Sequence, residues 1–223
     1  MAVPREGFFE EGESLAFETG LFFGENGILF CMLKALLSDY DGVLIPDEYR
    51  GANAFCRDVT WLERAEVPYY TLPSASGFWE EIRQTQGASF SNQELARLYN
   101  LEDAEQIRQQ NEVLDLYRSF KSVTPLLLLL SNQIADRTAY LRQKEALSLF
   151  DVCYFSSELG LKKPQPEIFQ MILKRHQLLP EEVLFIDDAE ENVRAAEVLG
   201  MQVILFQSVA LLEQELLTCR ARA

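Results

Sequence analysis

The sequence predicts an α/β protein: a doubly wound, parallel, Rossmann-like sheet with a small α-helical cap inserted after its first strand. Three observations carry that expectation. Apolar runs of strand length stand at about 34–38, 126–130, 152–155, 183–186 and 202–206. From residue 125 on they alternate with segments of helical period, which is the pattern of a parallel sheet. Between the first run and the second, residues 46–121 show helical spacing and no strand-like alternation.

The elements follow in order. Residues 1–31 form an N-terminal extension of unclear role, in which LFFGENGILF (21–30) fits a hairpin with a Glu-Asn-Gly turn and equally a poorly ordered segment. The core pattern begins at Met32, so the core takes 32–45 and 122–223 and the cap takes 46–121. Ala35, Leu36 and Leu37 read as a buried parallel strand. In the cap, EYRGANAFCRDVTWLERA, SGFWEEIRQ, SNQELARLYN and EDAEQIRQQNEVLDLYRSF each space apolar residues as a helix does, and Ser91 with Glu94 makes a capping box. Trp61, Tyr69, Tyr70 and Trp79 are expected to pack as cap core, because large aromatics are mostly buried. LLLLL (126–130) is a strand, 134–149 a helix, VCYF (152–155) a strand, and 166–176 a helix with Pro166 in its first turn. VLFI (183–186) is a strand, and the helix after it closes on Gly200. QVILF and SVALLEQELL supply the last strand and helix.

Composition narrows the function. The 223 residues are 48% hydrophobic and 25% charged, as in an ordinary globular protein. A net charge of −15 argues against nucleic acid or an anionic membrane as partner, and an anion site here needs a local positive centre. No apolar run reaches the roughly 18 residues of a membrane span, and the acidic N-terminus is unlike a secretory signal. Four scattered cysteines without a C-x-x-C pair fit a reducing, cytoplasmic setting. The one histidine, His176, rules out a multi-histidine metal site and reads as a solvent-facing residue at a helix end.

The chemistry-bearing residues follow the strands. SDYDG places Asp39 and Asp41 after the first strand. SNQ places Ser131 and Asn132 after the second. GLKKPQP carries Lys162 and Lys163, and DDAEEN places Asp187 and Asp188 after VLFI. Ligands of open α/β sheets bind outside the carboxyl ends of the strands. Two like charges about 4 Å apart repel by roughly 4 kcal/mol at an effective dielectric of about 20, so four carboxylates there require protonation or a cation. Oxygen donors without histidine suit hydrated Mg²⁺. The set fits phosphoryl transfer to an aspartate, with the metal and a lysine neutralising the transferring oxygens and a second carboxylate moving the proton.

DYDGVL, LLSN, KKPQPEIF and FIDDAEENVRAAEVLG resemble, in order and spacing, the four motifs of the haloacid dehalogenase superfamily. The resemblance implies Asp39 as nucleophile and Asp41 as general acid/base. It implies Ser131 and Lys163 as phosphate contacts, with Asn132 at the substrate site. It implies Mg²⁺ held by Asp39, by Asp188 with Asp187 beside it, and by the backbone carbonyl of Asp41. The stretch 46–121 resembles the family's helical cap. GASFSNQEL and FSSELGLKKPQPEIF look most like the sugar-phosphate phosphatases of the glucose-1-phosphate type, which implies a small phosphorylated metabolite as substrate.

Alternatives are weighed on residues. Dehalogenases of this superfamily lack the second aspartate, which this chain keeps as Asp41. No lysine lies between Lys34 and Lys121 to serve a phosphonate-cleaving cap. A phosphomutase of the β-phosphoglucomutase type and a catalytically silent regulatory protein stay open. A structural role for Ser131 is to cap the helix after its strand, and Asn192 reads as a turn or capping group. A chain starting at Met32 is expected to fold on its own; loss of a cooperative unfolding transition on deleting 1–31 would contradict that.

Overall fold

The structure, a computed structural model, describes residues 21–23, 29–31, 33–46, 56, 64–87 and 89–222. β1 (Leu21–Phe23) and β2 (Leu29–Cys31) pair antiparallel, as the hairpin reading expected, while the turn between them lies outside the described residues. So does most of the expected helix at 48–65, Trp61 included.

The core is a five-stranded parallel sheet of β3 (Ala35–Ser38), β4 (Leu126–Ser131), β5 (Val152–Phe155), β6 (Val183–Asp187) and β7 (Gln202–Leu205), in the order β5-β4-β3-β6-β7. β3 is central, with Ala35 in register with Leu126 on one side and Val183 on the other. The chain builds β4 and β5 on one side of β3, then crosses over to build β6 and β7 on the other, so the crevice of such a sheet opens at the end of β3.

Side chains alternate between two cores, which is why both faces are apolar. Leu36, Leu127, Leu129, Leu184 and Ile186 face one cluster; Leu37, Leu128, Leu130 and Phe185 face the other. Among the described residues between β3 and β4 are the helices α1 (Ser76–Gln86), α2 (Asn92–Tyr99) and α3 (Ala104–Phe120). Ser91 and Glu94 form the expected capping box on α2. α1 and α2 build a small core from Phe78, Trp79, Ile82, Leu95 and Tyr99. α3 instead packs Val113, Leu114, Tyr117 and Phe120 into the first sheet cluster, and Tyr117 Oη sits 2.8 Å from Ser38 Oγ.

Beyond β4 come α4 (Ala135–Leu141), the short α5 (Ser156–Leu159), α6 (Pro166–His176), α7 (Glu190–Val198) and α8 (Val209–Arg222). α6 and α7 cover the second cluster with Ile168, Phe169, Ile172 and Ala196, while α8 covers the first with Leu212 and Leu216. The helix expected over 134–149 is broken: α4 ends at Leu141, and 145–149 form a 3₁₀ turn. Lys144 leaves the helix in an extended conformation to reach Glu102 and Tyr40, and Leu147 drops into the core. His176 is half-buried rather than solvent-facing, because its Nε2 lies 2.7 Å from the Tyr154 hydroxyl. Among the described residues, no helix is long and apolar enough to cross a membrane.

Leu128 is fully buried in the second cluster. Leu128→Ala is expected to cost about 2–5 kcal/mol, read as a lower urea midpoint at unchanged m-value.

Candidate active site

The ends of β4, β3 and β6 are neighbours, so the residues that follow them meet. A cavity of about 170 Å³ is lined by Asp39, Asp41, Ser131, Asn132, Lys163 and Asp188, with Tyr70, Ala189 and Asn192 completing the wall. Of the chemistry-bearing residues named from the sequence, only Lys162 and Asp187 stand outside this wall, and Asp187 lies directly behind it, fully buried.

Lys163 is the organising cation. Its ammonium, 2% exposed as a residue, contacts Asp39 Oδ2 at 2.7 Å and Asp187 Oδ2 at 2.6 Å. Burial alone would lower its pKa, but Asp187 and Asp39 outweigh that and hold it above the ordinary lysine value. Asn132 fixes the loop that carries it: its Nδ2 donates to the Lys163 carbonyl at 3.0 Å, and its Oδ1 accepts from Lys163 N–H at 2.9 Å. The Asn132 amide is therefore engaged on the Lys163 backbone even though it lines the cavity. Lys162 is half-buried, with Nζ 6.0 Å from the Tyr70 ring centroid.

Asp39 receives Tyr40 N–H on Oδ1 at 2.7 Å. Burial raises its pKa well above the usual carboxylate value, Lys163 works against that, and Asp187 adds to it. Asp187 is saturated: Oδ1 accepts from Ala189 N–H and Asn192 Nδ2 at 2.9 Å each, and Oδ2 from Lys163. Asp188 is partly exposed at the cavity, and burial followed by Asp187 raises its pKa. Gly42 turns the chain at φ +80°, and a Cβ there would overlap the Asp188 carboxylate, so glycine permits the close approach of these two loops.

One oxygen each from Asp39, Asp187 and Asp188 can lie within 4.8 Å of one another. Asn192 adds a second observation: its Oδ1 is buried without a hydrogen-bond partner, and buried polar atoms normally have one. An all-oxygen donor set with an orphaned acceptor beside it fits a hard, hydrated divalent cation. Asp39 and Asp188 line the cavity, whereas Asp187 lies behind it with its oxygens taken by Lys163, Ala189 and Asn192.

Several residues were not singled out as site groups from the sequence. Gln133 Nε2 donates to both Asp41 Oδ2 and Ser131 Oγ, the latter at 2.7 Å. Ser131 does not cap α4, whose cap position is Ile134. Arg137, buried on α4, lies 3.7 Å from Asp41 Oδ1. Tyr70 packs against the small helical core as expected but also lines the cavity, with its hydroxyl donating to Glu66 at 2.6 Å. Trp79 stays in that core, its indole N–H donating to Asp136. A larger cleft of about 830 Å³, between α2 and α4, contains none of the four aspartates.

A doubly wound sheet whose crevice gathers acidic groups around one buried lysine defines an α/β protein with a charge-neutralising site at the strand ends. The chain belongs to the haloacid dehalogenase-like hydrolases, whose family pattern matches residues 33–200. D-ribitol-5-phosphate phosphatase of Bacteroides thetaiotaomicron is 37% identical over 75 residues, 32% of this chain and 36% of that protein. A phosphorylated carbohydrates phosphatase of Thermotoga maritima is 34% identical over 64 residues, 29% of this chain and 30% of that protein. These alignments thus span about a third of each relative. A HAD family enzyme of Bacteroides thetaiotaomicron, solved as a magnesium complex, superposes with a TM-score of 0.63 at 25% identity, covering 79% of this chain and 94% of that one.

The raised pKa values of Asp39 and Asp188 have a sign. A carboxyl raised in the fold stabilises it below the unfolded value of about 3.9, and that contribution is lost as pH rises through the folded value. A dication binds the ionised groups and displaces their protons. The gain in thermal midpoint on adding a divalent cation is therefore expected to grow as pH rises from about 4 through those raised values. A gain that stays flat across the window would contradict this.

Proposed function

We propose that this protein is a magnesium-dependent phosphatase that hydrolyses a small phosphorylated metabolite, a sugar phosphate before a nucleotide, through an aspartyl phosphate on Asp39. The observation that carries the proposal is the Asp39–Lys163–Asp187 arrangement: a buried carboxylate held by a lysine at 2.7 Å, with a second acid, Asp41, two residues on at the cavity wall. The magnesium complex of the structural neighbour and the phosphatase names of the sequence relatives support it. So does the cavity, about 170 Å³, below the roughly 300–1,000 Å³ of sites for drug-sized ligands.

The steps follow from the side chains. Lys163 orients Asp39 and neutralises charge on the transferring phosphoryl group, with Ser131 Oγ as a further contact. Asp39 forms the new bond to phosphorus as the ester oxygen departs. Asp41 gives that oxygen a proton, then takes one from the water that cleaves the aspartyl phosphate. Asp187 keeps Lys163 and Asn192 in place. The residues that would hold Mg²⁺ are Asp39, Asp188 and the Asp41 carbonyl, with Asn192 Oδ1 as acceptor for a water of the hydrated ion. Bound there, the ion supplies further neutralisation of the phosphoryl oxygens. The cap assigned to 46–121 is the segment in which substrate choice resides.

Phosphate release from a panel of small esters is expected to require Mg²⁺. Asp39→Asn is expected to lower it on the order of a thousandfold or more, as loss of a nucleophile does. Nucleoside monophosphates outpacing every sugar phosphate would refute the substrate class. No release from any ester, by folded protein that still binds Mg²⁺, would refute the phosphatase and favour the phosphomutase or the catalytically silent regulatory protein.

A further inference from the structure

We propose that Arg137 is a positioning residue that fixes Asp41 for proton transfer, and that Glu102, from the inserted helical segment, anchors it there. This rests on the phosphatase reading. The Asp41 side chain is 21% exposed and sits in the turn before Gly42. Two groups restrain its carboxylate. Gln133 donates to Oδ2, and Arg137 Nη2 lies 3.7 Å from Oδ1. That distance is an ion pair and too long for a hydrogen bond, so the guanidinium acts on Asp41 by charge and must itself be held still.

The structure holds it from several sides. Nη1 donates to Asn100 Oδ1 at 3.1 Å, and Nη2 to Glu102 Oε1 at 3.3 Å. The guanidinium carbon lies 5.6 Å from the Tyr40 ring centroid and 5.3 Å from that of Tyr140. Tyr40, between the two aspartates and fully buried, joins the same network. Its hydroxyl donates to Glu102 Oε1 at 3.1 Å and accepts from Gln110 at 2.9 Å and Lys144 at 3.0 Å. Lys144 also donates to Glu102 Oε2. Asp41, Glu102, Arg137 and Lys144 thus form a set of two anions and two cations, and the Arg137 and Glu102 side chains are only 6% and 5% exposed. Burying such charges is tolerable only when they are mutually paired. Arg137 is the member that pairs with both Asp41 and Glu102. The rigid guanidinium fork suits that bridge, which a point-charge ammonium does not reproduce.

The test separates positioning from mere stability by the leaving group. In the first step the Asp39 oxygen bonds to phosphorus, the phosphorus–ester oxygen bond breaks, and the Asp41 proton passes to the departing oxygen. An alkoxide needs that proton, whereas nitrophenolate departs without it. kcat/KM reports the steps from free enzyme through ester cleavage and leaves out hydrolysis of the aspartyl phosphate. Arg137→Met is expected to lower kcat/KM for an alkyl phosphate about 100-fold, the lower range for general acid catalysis. For p-nitrophenyl phosphate the fall is expected to stay within about threefold, with Arg137→Lys intermediate on the alkyl ester. Glu102→Gln, which keeps the volume, should show the same selectivity at smaller size, and it replaces Arg137→Met should that variant not fold. Equal losses on both esters, or none on either, in variants whose wild type releases phosphate, would overturn this inference alone. No release by the wild type from either ester would overturn the phosphatase reading and this inference with it.

Discussion

The site depends on one constraint: carboxylates brought to a common edge must be neutralised or they will not stay there. Lys163 meets that constraint for Asp39 and Asp187, from full burial and at hydrogen-bond distance from both. Burial is the first cause of the raised pKa values of Asp188 and Asp39, and the lysine offsets it only in part. The remaining negative charge is the physical basis for a cation at this edge. The orphaned Asn192 oxygen marks the same place from the side of hydrogen bonding.

The sheet supplies the geometry that makes neutralisation possible. Because β3 lies between β4 and β6 in matched parallel register, three polar loops from distant parts of the chain end at one level. Leucine, isoleucine and phenylalanine on both faces hold that register, since a slip of one residue would exchange the two cores. Gly42 and Asp188 then interlock at the edge, where no side chain larger than hydrogen fits. A second electrostatic layer lies behind: Tyr40, Glu102, Arg137 and Lys144 tie the turn that carries Asp39 and Asp41 to the inserted helices. The net charge of −15 matters little against fields this local.

The strands and most helices were legible because their signals are local. Apolar runs, a capping box at Ser91, a proline opening α6 and a glycine after α7 act within a few residues. The break after Leu141 was not legible, because what ends that helix is the pull of Glu102 and Tyr40 on Lys144 from about 40 and 100 residues away. Gln133 and Arg137 escaped for the same reason. Each reads as an ordinary polar residue near a helix start, and only the packed loops give it a carboxylate to face.

The sequence by itself determined which residues could carry chemistry. Asp39, Asp41, Ser131, Asp187 and Asp188 stand at or just beyond strand ends, Lys163 lies in the loop before α6, and strand-end groups share an edge in a parallel sheet. Only the tertiary structure decided how those residues divide their roles. Asp187 has both oxygens engaged while Asp188 faces the cavity, Asn132 is tied to the Lys163 backbone, and Ser131 meets Gln133 instead of capping a helix. The order of residues along a strand fixes which edge a side chain reaches. Its partners there come from other loops, and distances between loops exist only once the core is packed.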